Sequence, residues 1–232
     1  MKARAILVAM AVLGLTVVGR ADFELHGLEE LTVNTLHNTG TLYDQSNVEV
    51  VTGGFVTDLR AHDSSSVTMT DGYASFLFGL DDATVSISGG AIGLLSASHN
   101  SAVNIYGGVV TDFSGSLTGG SLNVFGGGLS NLLAGNSSII DIYGGEMLTF
   151  SGIEHSTTTF HGQDFVLGDG LFLDGDEVLG TGALSGKWFD GTAWSVNIQQ
   201  NDATAAILAI PEPATLSLLA MGGLAVMRRR RK

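Results

Sequence analysis

Apolar and polar residues alternate along the middle of the chain in a pattern that returns every 18 or 19 positions. Val67-Thr-Met69-Thr-Asp-Gly72, Val85-Ser-Ile87-Ser-Gly-Gly90, Val103-Asn-Ile105-Tyr-Gly-Gly108, Leu122-Asn-Val124-Phe-Gly-Gly127 and Ile140-Asp-Ile142-Tyr-Gly-Gly145 begin 18, 18, 19 and 18 residues apart. A copy with one extra residue, Val48-Glu-Val50-Val-Thr-Gly-Gly54, precedes them, and a fading one, Thr158-Thr-Phe160-His-Gly162, follows. Leu31-Thr-Val33 reads as a degenerate coil further upstream. Short alternating runs bounded by glycine predict half-buried strands, with the first and third motif residues inward and the second outward.

The register also holds between the motifs. Val56, Ala74, Ile92, Val110, Leu129 and Met147 fill one apolar slot, and Leu59, Leu77, Leu95, Phe113, Leu132 and Phe150 fill another three residues later. Ala61, Gly79, Ala97, Gly115, Ala134 and Gly152 occupy a slot that admits only small residues. A second small slot holds Ser46, Ser65, Ala83, Ser101, Gly120, Ser138 and Ser156.

No single unit of this size can bury its own apolar face, so the units must stack. We therefore expect an all-β chain built as a parallel β-solenoid of about seven 18-residue coils. Each coil advances by the strand spacing of about 4.8 Å, giving a rod on the order of 34 Å. An antiparallel sandwich is the competing arrangement for strands this short, whereas a propeller blade needs about 40–45 residues.

Residues 46–163 carry the repeats, and residues 22–45 read as an N-terminal cap or degenerate coil. After Gly162 the period dissolves. In the β-rich segment 164–210, Gly186 to Ile198 reads as a hairpin turning at Asp190-Gly191, and Ala205 to Ile210 as one more strand. A solenoid's last coil leaves an open edge, so this segment is expected to cap it. An aromatic sugar-binding hairpin is the other reading, since both tryptophans, Trp188 and Trp194, lie here.

The two ends differ from the middle. Lys2 and Arg4 precede an apolar run from Ala5 to Val18, and small residues flank Arg20, so residues 1–21 read as a secretory signal peptide. At the other end Pro211-Glu212-Pro213 is followed by the uncharged Ala214 to Met227 and then by Arg228, Arg229, Arg230, Arg231 and Lys232. As a helix the uncharged stretch reaches about 21 Å, a short transmembrane span, and the basic cluster would hold its C-terminus inside. The prolines keep the triplet extended and outside the helix.

Triplet, apolar helix and basic tail, in that order, make residues 211–232 resemble the PEP-CTERM sorting signal of Gram-negative bacteria. The resemblance implies recognition and cleavage at Pro211, Glu212 and Pro213 by the membrane protease exosortase. It further implies transient anchoring in the inner membrane and a destination at the cell surface or outside the cell. The family is associated with exopolysaccharide-producing bacteria, which implies exopolysaccharide as a partner.

Charge sharpens this picture. Three of the ten basic residues lie in the leader and five in the tail, leaving Arg60 and Lys187. Residues 22–210 set 22 acidic side chains against those two, a formal charge of −20 where the whole chain has −13. Such a surface repels nucleic acid and remains soluble by self-repulsion. With no cysteine, the exported part relies on packing and hydrogen bonding rather than on disulfides.

Two outward ladders are candidate chemistry. Tyr106, Phe125 and Tyr143 share one slot, continued by His161 and preceded by Thr52, Thr70 and Ser88. Such a stripe either lies against sugar rings or a partner, or simply ties neighbouring strands together or is covered by the capping hairpin. Along a polar corner run Asp63, Asp81 with Asp82, His99 with Asn100, Asn136, and Glu154 with His155. Carboxylates on adjacent coils can share a hard cation such as calcium, although the spacing matches no calcium-loop pattern and solvated corner residues are the simpler account of the row. Asp169 to Glu177 is acidic but lacks the alternation of a calcium-binding loop.

Catalysis is not expected. A polysaccharide lyase wants clustered cations, and a glycosidase two carboxylates in a cleft, but tight regular coils have no long excursions to build one. No Ser/His/Asp signature, phosphate-cradling loop or cysteine-based metal site occurs. The expected role is a non-catalytic structural or adhesive component of the surface or matrix. A carbohydrate-binding module acting through Tyr106, Phe125 and Tyr143, and a β-helix polysaccharide-active enzyme, are the alternatives.

Overall fold

The computed structural model describes residues 21–210 except 116–118, 136, 154, 176 and 202–205. Residues 1–20 of the expected leader and the Pro-Glu-Pro tail, with its expected short transmembrane helix, lie outside the described residues. So do Asn136, Glu154 and Asp176 of the acidic rows.

Strand β1 (Ala21–Leu25) is followed by seven pairs of one short and one long strand. They are β2 (Glu30–Val33) and β3 (Leu36–Leu42), β4 (Asn47–Val50) and β5 (Phe55–Ala61), β6 (Ser66–Met69) and β7 (Tyr73–Gly79), β8 (Thr84–Ile87) and β9 (Ala91–Ala97), β10 (Ala102–Ile105) and β11 (Val109–Gly115), β12 (Ser121–Val124) and β13 (Gly128–Ala134), and β14 (Ile139–Ile142) and β15 (Glu146–Gly152). Short strands stack parallel in one sheet and long strands in another, every rung pairing the residues that the repeat aligns. Val67, Val85, Val103, Leu122 and Ile140 form one continuous rung column. The fold is the expected parallel β-solenoid of about seven turns, and no helix occurs among the described residues.

The short strands obey strict alternation: in β6 Val67 and Met69 are buried while Ser66 and Thr68 are half-buried. The long strands do not. In β5 the inward residues are Val56, Leu59 and Ala61. Thr57 and Ser75 drop out of the β5–β7 ladder together, so the register is kept while the side-chain parity resets. This bend, repeated in each coil, is the reason for the three-residue interval between the two apolar slots.

Corners join the sheets. At the corners from Gly89 onward the second glycine of the pair has positive φ, 79° at Gly90, 82° at Gly108 and 83° at Gly127, whereas in the longer Gly53-Gly54 copy it is the first, at 84°. The first glycine of the later pairs faces a different constraint: a Cβ on Gly107 would lie 2.6 Å from the Ser88 carbonyl oxygen, and one on Gly126 2.7 Å from that of Tyr106. At the opposite corner the small serines turn inward, Ser65 Oγ donating to the His62 carbonyl at 2.6 Å and Ser46 Oγ to that of Tyr43 at 2.8 Å.

The end of the stack is closed by β16 (Thr157–Leu167), β17 (Leu171–Asp174), β18 (Glu177–Gly180), β19 (Gly182–Trp188), β20 (Ala193–Asn201) and β21 (Ala206–Ile210). The first half of β16 continues the short-strand sheet beside β14, and its second half pairs antiparallel with β19. Strands β19 and β20 form the expected hairpin, with Gly191 N–H donating to the Trp188 carbonyl at 2.9 Å. Strand β20 then runs parallel beside β15, and β21 parallel beside β16, so the chain returns to extend both sheets. Antiparallel β19 and the β17–β18 hairpin lie beyond them, where a parallel edge would otherwise be open to other chains.

Candidate ligand-binding surface

The glycine corner places the residue just before it on the outside of the rod. Tyr106, Phe125 and Tyr143 therefore stack, with centroids 5.0 and 5.1 Å apart and planes within 7°. His161 continues the column 4.1 Å from Tyr143. Exposure falls along it, 56% at Tyr106, 45% at Phe125 and 39% at Tyr143. Rings this close and parallel cover one another's faces, so Phe125 and Tyr143 offer solvent their edges. At the last rung His161 Nε2 lies 2.8 Å from Asp141 Oδ1. A carboxylate only accepts, so that nitrogen carries the proton. Burial, and secondarily the Asp141 carboxylate, push the Tyr143 hydroxyl above its ordinary range.

The capping hairpin comes down beside this column. Trp188 Nε1 donates to the Gly145 carbonyl at 3.1 Å, tying the hairpin to the last complete glycine corner. Trp194 lies between Trp188, at 4.7 Å, and Phe160, at 5.3 Å, both nearly parallel to it. Its own Nε1 is buried without a hydrogen-bond partner. Between hairpin and column lies a groove of about 550 Å³, lined by Phe125, Tyr143, Glu146, Phe189, Asp190 and Ser195 among others. The Thr192 backbone N–H, donating at 2.8 Å, holds the Asp190 carboxyl below the usual carboxylate range and fixes the turn.

The polar corner has a structural use for its acids. Asp44, Asp63, Asp81 and His99 sit at φ of 61°, 54°, 55° and 57°, a region that Asp, Asn and His tolerate better than most residues. Each carboxylate also reaches back one coil. Gly27 N–H donates to Asp44 Oδ2 at 3.0 Å, Asp44 N–H to Asp63 Oδ2 at 3.1 Å, and Asp63 N–H to Asp81 Oδ2 at 3.4 Å. Asp82 accepts from Asn100 Nδ2 at 3.1 Å. Among the described residues no group of three or more His, Asp or Glu side chains is placed to hold a metal ion. In the acidic stretch before β18, Asp174 pairs with Glu177 across the β17–β18 hairpin.

Residues 209–232 match the PEP-CTERM protein-sorting motif. The PEP-CTERM match thus covers 24 of 232 residues and includes the triplet Pro211, Glu212 and Pro213 and the arginines Arg228 to Arg231. It marks the chain as an exosortase-sorted surface protein, with export and a cell-surface or extracellular destination. No curated protein and no solved structure matches the chain. The solenoid ahead of the PEP-CTERM motif must therefore be read from its own surface.

Sequence reasoning places the aromatic column and allows for the capping hairpin against it, but misses the acidic side chains that line the groove between them. Glu146 and Asp190 lie 44 positions apart and carry no shared motif. A second stack, His26, Tyr43 and His62 with centroids 5.0 and 5.1 Å apart, was also legible in the register, one position before the positive-φ residues.

Proposed function

We propose that the exported, processed chain is a non-catalytic structural or adhesive component of the cell surface or extracellular matrix. The observation that carries this reading is that outward polar and aromatic side chains bond mainly to their own repeats. Asn123 Nδ2 donates to Asn104 Oδ1 at 3.0 Å, Thr149 Oγ1 to Asn131 Oδ1 at 2.6 Å, and the aromatic column stacks on itself. Side chains committed to cohesion along a stack suit a rigid spacer. Exosortase would cut at the triplet after transient anchoring in the inner membrane, and the released acidic rod would meet exopolysaccharide outside.

The test is fractionation with mass determination, combined with a cohesion assay on cells lacking the chain. A product ending near Pro213 outside the inner membrane, and weaker cell aggregation without it, are expected. An intact Lys232 retained in the inner membrane, or release of shortened glycans by the purified chain, would contradict the reading.

A further inference from the structure

The groove between the capping hairpin and the last coils combines chemistry that neither side holds alone. We propose that it binds an uncharged glycan segment. This names a ligand for the adhesive role and rests on that reading.

Its volume of about 550 Å³ is that of a small-molecule site. Phe125 and Tyr143 supply apolar ring edges from the rod, and Phe189, 41% exposed at the hairpin turn, supplies a third aromatic surface. These suit the C–H faces of a pyranose ring. Glu146 and Asp190 provide acceptors for paired sugar hydroxyls, in hydrogen bonds strengthened by the carboxylate charge. Trp194, only 8% exposed, backs the same wall.

Charge narrows the ligand. No basic side chain lines the groove. The two basic residues of the ectodomain are engaged elsewhere, Lys187 with Asp164 at 2.8 Å and Arg60 with Asp58 at 2.8 Å. A uronate, sulfate or phosphate polymer would face two carboxylates and the field of a strongly acidic chain, with nothing to offset its own charge. The column alone is the poorer site, because its inner rings already cover each other's faces. The hairpin turns the exposed edge of the column into one wall of a concave site.

The test is calorimetric titration of the processed chain with cellohexaose, laminarihexaose, maltohexaose and mannohexaose, beside the galacturonate and chitosan hexamers. At least one neutral hexamer should bind. Phe189→Ala and Glu146→Gln should each weaken that binding by about tenfold with the thermal unfolding midpoint unchanged. Binding by no neutral hexamer overturns the proposal, as does tighter binding of either charged hexamer or full affinity in both variants. Retained cell cohesion with silent titrations would remove the groove alone, whereas loss of both would remove the adhesive reading with it.

Discussion

Adjacent glycines at each corner answer to different constraints. Gly127 adopts φ of 83°, where a Cβ meets its own backbone. Gly126 has no such requirement, but a Cβ there would enter the space of the Tyr106 carbonyl oxygen one coil earlier, at 2.7 Å. Gly128, the next residue, has open space around it and no positive φ. Gly126→Ala should therefore lower the unfolding midpoint by a few degrees, on the order of 1–3 kcal/mol. Gly128→Ala should be neutral or slightly stabilising, by less than about 1 kcal/mol. Thermal melts of the two variants side by side check this; equal losses would mean that the corner tolerates a displaced backbone. The same scale explains Asp63 and Asp81. Their place in a polar corner is legible in the sequence, but the N–H groups they accept from, one coil away, become visible only when the coils are stacked.

Strands and ladders form the next scale. Period-two alternation in β6, β8 and β10 follows directly from their residues, and the structure keeps it. The long strands keep two apolar slots at a three-residue interval because one residue leaves the ladder in every coil. The aromatic column belongs to this scale too. Phe125 has a ring on each side, Tyr106 and Tyr143, whereas Tyr106 has one aromatic neighbour in the column. At about 0.5–1.5 kcal/mol per aromatic pair, Phe125→Ala should cost roughly twice as much as Tyr106→Ala. Denaturant unfolding of the two single variants decides it. Equal and negligible losses would mean that the stacking contributes no cohesion and that the column serves another purpose.

Across the whole molecule, charge is the dominant asymmetry. With 22 acidic and two basic side chains in residues 22–210, the rod repels itself, and dissolved salt should stabilise it. Raising ionic strength from about 10 mM to about 150 mM shortens the screening length from about 30 Å to about 8 Å. The unfolding midpoint of the processed chain should rise over that range. A fall would mean that the few ion pairs, such as Lys187 with Asp164, outweigh the self-repulsion. The charge distribution also sets the two ends apart from the solenoid, since eight of the ten basic residues lie in residues 1–21 and in the stretch that matches the PEP-CTERM motif.

By itself the sequence determined the period, the inward and outward faces of the short strands, the rung columns and the sorting motif. Each of these rests on local alternation or on a fixed offset that a stack converts into contact. Only the tertiary structure decided what the cap does to the rod. The hydrogen bond from Trp188 to Gly145 spans 43 residues, and β20 reaches β15 after the chain has reversed direction more than once. No period links those positions, because the hairpin's place depends on how the last coil is closed. The aromatic column was therefore readable in advance, and the groove beside it was not.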